Sequence, residues 1–160
     1  MAETEFDYPK DKVNNDEKIV RFILYPLHWN TDTNELAEGF VKLKEDEKGI
    51  SCVRYDYLGG EDATKECGDC FAQIVTNKKR GKNPNADEQK LKGWARCTAQ
   101  QIIDIDPDVI FLSIENPEKN PHHVEIRFQN GGDVVKGIVK DAYILELFDK
   151  IESTFNYVYW

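Results

Sequence analysis

Residues 93–128 read GWARCTAQQIIDIDPDVIFLSIENPEKNPHHVEIRF, and this stretch decides the fold. Trp94 to Cys97 reads as extended. Thr98 is placed to cap a helix over AQQIID, because its hydroxyl can accept a free backbone N–H. After Pro107 the run DVIFLSIEN is apolar and rich in β-branched residues, as a buried strand requires. PEKNP turns the chain, and HHVEIRF alternates as a second strand. A connection of about six residues favours an antiparallel pair.

Toward the N-terminus, KIVRFILYPLHW from Lys18 reads as a strand buried on at least one face. Pro26 marks a bulge, an edge or the strand's end. Thr31 to Asn34 form a turn, and Leu36, Phe40 and Leu43 suit a short helix or an extended segment. ISCVRYDYL alternates as a strand from Ile50. Ala63 to Asn77 read as a helix carrying Cys67, Cys70, Phe71 and Ile74 on one stripe, interrupted by Gly68. NKKRGKNPNADEQK reads as an exposed polar loop with a basic tip. Toward the C-terminus, QNGGD is a turn. Residues 141–157 hold the clearest amphipathic pattern, with Ala142, Leu145, Phe148, Ile151 and Phe155 at helical spacing. YVYW closes the chain with aromatics that either dock on the core or expose an apolar patch. Residues 1–17 carry little apolar content and read as a flexible acidic tail. The expectation is one α+β domain over residues 18–160, with a mixed or antiparallel sheet of four to five strands and two or three packed helices.

At 160 residues the chain suits a single domain and can bury a sizeable core. The 30 acidic and 21 basic residues leave a net charge of −9. That balance repels nucleic-acid phosphates and anionic lipid, so neither is an expected partner. No apolar run is long enough for a membrane helix, and the polar N-terminus does not read as a signal peptide. The expected compartment is the cytoplasm, with four reduced cysteines.

Several groups could carry chemistry. Cys67 and Cys70 form a CxxC pair that could hold zinc with Cys97, Cys52 or a histidine, or act as a redox pair. The ordinary reading is two small thiols packing a helix, and no cofactor is expected. Cys97 beside a helix start, with His122 or His123 as base, suggests a thiol hydrolase. His122 and His123 point to opposite faces if extended, so one of them serves any given pocket. Asp104, Asp106 and Asp108 alternate like a cation site, but acids there also cap and turn the chain. The KKRGK run could touch a phosphate, although solvated charge is the usual role of such a run.

A further pattern is scattered over about residues 20–130. It comprises Arg21 in the first strand, Gly39 and Phe40 before the strand Gly49-Ile50-Ser51-Cys52-Val53, and Gly93, Ala95, Thr98 and Ala99 at a short helix start. It ends with Asn116-Pro117 and Asn120-Pro121-His122-His123. This combination resembles a group of small, largely uncharacterised bacterial proteins. The resemblance implies no mechanism, but it nominates Arg21, Ser51 and His123 over Cys97. The function expected from these readings is a non-enzymatic binding or adaptor protein with a protein partner. Homodimerisation through YVYW also fits. The alternative is a small hydrolase-like enzyme built on Arg21, Ser51 and His123, or on Cys97 and His123.

Overall fold

The computed structural model describes residues 8–44, 47–137 and 139–160. Nine strands and four helices are formed among them. In chain order they are β1 (Lys18–Tyr25), β2 (Trp29–Asn30), β3 (Glu35–Leu36), β4 (Ile50–Arg54), α1 (Tyr55–Leu58), α2 (Glu61–Lys82) and β5 (Lys90–Thr98). Then follow α3 (Ala99–Ile103), β6 (Ile110–Ser113), β7 (His123–Asn130), β8 (Asp133–Val134), α4 (Ala142–Thr154) and β9 (Asn156–Tyr159). Six strands run side by side in the order β6-β7-β4-β1-β5-β9, β8 extends β7, and β2 and β3 form a separate hairpin. Every pairing is antiparallel. The main sheet thus has seven strands rather than four or five, and four helices form rather than two or three. None of these helices is long and apolar enough to cross a membrane.

The sheet divides two cores, as the period-two alternation of its strands demands. Ile19, Ile23, Cys52, Ala95, Cys97, Val124, Ile126 and Phe128 face α3 and α4. Val20, Phe22, Leu24, Val53, Leu91 and Trp94 face α2. Along α4 the buried stripe is Ile144, Leu147, Phe148 and Ile151. Leu145, expected on that stripe, is exposed. Thr98 caps α3 as expected, and Gln101 completes a reciprocal capping box with it.

Three expectations change. The helix from Glu61 does not stop at Asn77 but runs through the basic segment to Lys82. Lys and Arg are good helix formers, and the stop comes just before Pro84. Gly68, an interruption in the sequence pattern, is where α2 lies closest to the sheet. A Cβ there would sit 2.7 Å from Leu91 and 2.9 Å from Phe22. The YVYW terminus leaves the helical pattern of residues 141–157 at Asn156. It forms β9, hydrogen-bonded to β5 along the sheet edge. Trp160 packs edge-on against Trp94 with centroids 5.1 Å apart, while Val158, Tyr159 and Trp160 keep much of their surface exposed.

Of the expected tail, residues 1–7 lie outside the described residues. Lys12 to Glu17 are docked. The Glu17 carboxylate is completely buried against Arg54, and the Lys12 carbonyl accepts from the same guanidinium. The ordered domain therefore begins before Lys18.

Candidate functional site

β1 and β4 pair only at Ile19/Arg54 and Val20/Val53. Beyond these residues the strands separate, and a cleft of about 700 Å³ opens in the gap, within the size range of small-molecule sites. One wall is a stripe of α2 from Cys67 to Lys82. The other comes from Leu27, His28, Lys44 and Glu47. Arg21, Ser51, Cys52, His122 and His123 line the gap between them, with Phe22 and Val53.

Arg21 spans the gap. Its Nε donates to the Phe40 carbonyl at 3.1 Å, its Nη1 donates to the Ser51 carbonyl at 2.8 Å, and its guanidinium lies 5.0 Å from the Phe40 ring centroid. Ser51 Oγ and His123 Nε2 are hydrogen-bonded at 2.9 Å. Register explains this contact. Ser51 opposes Glu125 and Val53 opposes His123, so the serine and histidine are diagonal neighbours on one face. The structure thus puts the Ser51 and His123 side chains in contact, while Arg21 binds the Ser51 carbonyl and lines the same cleft. No carboxylate hydrogen-bonds the His123 ring among the described residues. Glu125, the acid nearest in register, accepts from Arg127 instead.

Cys97 is not part of this group. It lies in the core between the sheet and α4, on the face away from the cleft, and β1 and β4 separate its strand from that of His123. Burial pushes its thiol up to about 12, the reverse of what a nucleophile needs. The Cys97/His123 pairing therefore does not form. Nor do Cys67, Cys70 and Cys97 make one ligand set, because α2 holds the first two on the opposite face of the sheet. Among the described residues, no group of three or more His, Cys, Asp or Glu side chains is placed to hold a metal ion. Asp104 accepts from Gln100, and Asp106 accepts from the Asp108 amide and the Tyr143 hydroxyl. Asp104 thus caps the end of α3, and Asp106 braces the turn before β6 against the start of α4.

The electrostatics of the cleft run against those of the whole chain. Its lining carries Arg21, Lys44, Lys78, Lys79 and Lys82 against a single described acid, Glu47. None of the five cations takes part in an ion pair among the described residues. His28 registers the resulting field. Its pKa falls to about 3, chiefly through burial and further through the charges of Arg21, Lys44 and Lys79. Its Nδ1 accepts from the Leu24 amide at 3.0 Å, which suits the neutral ring. The basic run was visible in the sequence. Its position was not, since that depends on α2 continuing past Asn77 and lying beside the gap.

Comparison with protein-family models, curated proteins and solved structures finds no match to this chain.

Proposed function

We propose that this chain is a non-enzymatic binding protein whose cleft takes an organic anion. The observation that carries the reading is the gathering of five cations, without carboxylate partners among the described residues, in a chain of net charge −9. Surface lysines ordinarily mix with acids, and those at a helix C-terminus gain a little from the helix dipole. The dipole does not account for Arg21 or Lys44, which come from other elements and face the same space. An anion in the cleft would supply the lysines with the partner they lack. The apolar residues Leu27, Phe71, Ile74 and Val75 in the same lining favour a ligand that is only partly polar.

An anionic fluorescent dye with an apolar body, anilinonaphthalene sulfonate, tests this. The folded protein should bind it, and Lys78→Glu combined with Lys82→Glu should weaken binding at least tenfold while leaving the far-UV spectrum unchanged. Equal binding by the variant would remove the cleft from consideration.

A second reading, a serine hydrolase, draws on the 2.9 Å contact between Ser51 and His123. The histidine could accept the serine proton as the hydroxyl attacks an ester. A Ser51→Ala variant separates the two readings. Unchanged ligand affinity with no turnover of ester ligands in either protein supports binding alone. The protein-partner and homodimer readings rest on β9, an edge strand with exposed Val158 and Tyr159. Sedimentation of the protein beside a Val158→Glu variant tests self-association.

A further inference from the structure

The lining of the cleft is not mixed along its length. From Cys67 to Lys82 the helix rises about 22 Å. Its first half presents Cys67, Cys70, Phe71 and Ile74 to the cleft, and its second half presents Lys78, Lys79 and Lys82. Ile74 is 63% exposed, an unusual state for a large aliphatic side chain beside a cavity. Direction along the sheet follows the same order. Gly68 lies against Phe22 and Leu91, whereas Thr76 accepts from the Gln89 amide and Gln89 accepts from the Leu27 amide. The lysine end of α2 therefore adjoins the Leu27–His28 segment. The apolar end adjoins Phe22 and Leu91.

We propose, building on the anion-binding reading above, that the occupant is a linear alkyl phosphate or diphosphate. Its head sits at Lys78–Lys82 and its chain runs along α2 toward Cys67. Charge selects the head. Three lysines within about one helical turn suit a phosphate with two or more negative charges better than a singly charged carboxylate. Shape selects the body. The apolar side chains form a line along one helix, and Phe71 is already packed on Phe22 with centroids 5.8 Å apart. No pair of aromatic faces stands open for a flat ring among the described lining residues.

Cys70 gives a direct readout, because it is exposed and lies at the chain end of the path, while Cys52 and Cys97 are buried. In a Cys67→Ser variant, maleimide labelling of Cys70 should slow at least tenfold with saturating decyl diphosphate, held below its micelle concentration. Inorganic pyrophosphate should displace the anionic dye yet change the labelling rate less than twofold. Ile74→Glu should weaken decyl diphosphate and leave pyrophosphate unaffected. If pyrophosphate binds but decyl diphosphate binds no tighter and does not protect Cys70, the alkyl proposal fails and the anion-binding reading stands. If decanoate protects as well as decyl diphosphate, the phosphate head is wrong. If no anion binds, both readings fail.

Discussion

Glu17 and Arg54 form a two-pronged ion pair in which both side chains are completely buried: Nε donates to Oε1 and Nη2 donates to Oε2, each at 2.9 Å. The guanidinium also donates to the carbonyls of Pro121 and Lys12 and lies 4.4 Å from the Tyr57 ring centroid. Glu17 Oε2 accepts in addition from the Asn14 amide. One buried arginine thus ties the segment before β1, the end of β4 and the turn before His122 into a single unit. Because that turn sets the start of β7, the pair fixes one end of the cleft.

Breaking such a pair on one side leaves an uncompensated buried charge, which costs about 3–5 kcal/mol. Glu17→Ala and Arg54→Ala should each lose stability of that order in urea unfolding. Glu17→Ala combined with Arg54→Ala should lose clearly less than the sum of the two single changes. Additive losses would mean that the two side chains do not act as a pair.

His28 gives a pH dependence with a definite sign. Its folded pKa, about 3, lies below its ordinary 6.5. The unfolded chain therefore takes up the proton first as pH falls. The contribution of the neutral, buried ring is complete above pH 6.5 and declines as pH drops from there toward 3. A His28→Gln variant should show a shallower fall of unfolding free energy over that window than the parent. Matching slopes would place the His28 ring in water.

The cysteines should separate cleanly by accessibility. Burial pushes the thiols of Cys52 and Cys97 up to about 12. Cys70 is exposed. Iodoacetamide followed by mass spectrometry should modify Cys70 in the folded protein, and Cys52 and Cys97 only on unfolding. Early modification of Cys97 would contradict its assignment to the core.

Gly93 allows β9 to lie against β5. A Cβ there would come within 2.0 Å of the Val158 carbonyl oxygen, and neither backbone can yield without breaking the pairing. Gly93→Ala should destabilise by about 1–3 kcal/mol, the usual cost of inserting a methyl group into a packed site. It should also weaken the near-UV signal from the Trp94–Trp160 contact. An unchanged spectrum would argue that β9 is not seated on β5.

Much of the scaffold was legible in local pattern. The apolar runs of β1 and β6, the alternation of β4 and β7, the Thr98 cap and the existence of α4 all follow from local pattern and turn chemistry. The rest depends on partners distant in sequence. Glu17 reads as part of a polar tail until Arg54 is placed beside it. Tyr55 to Leu58 continue the alternation of β4, yet they coil into α1 because the strand ends at Arg54. Asn156 to Tyr159 gain their strand from β5, more than fifty residues earlier. The cleft is the extreme case. Arg21, Ser51 and His123 were nominated by a scattered pattern, but their mutual geometry comes from the separation of β1 and β4 and from the diagonal register of β4 on β7. The lysines read as solvated loop charge because nothing local shows that α2 carries them to the gap.

The most direct measurement is an amide-resolved NMR titration of the protein with inorganic pyrophosphate at low salt. Saturable shifts should concentrate at residues 78–82, Lys44 and the Leu27–His28 segment, and weaken as salt is raised. No saturable shifts, or shifts confined to lysines outside the cleft, would contradict it.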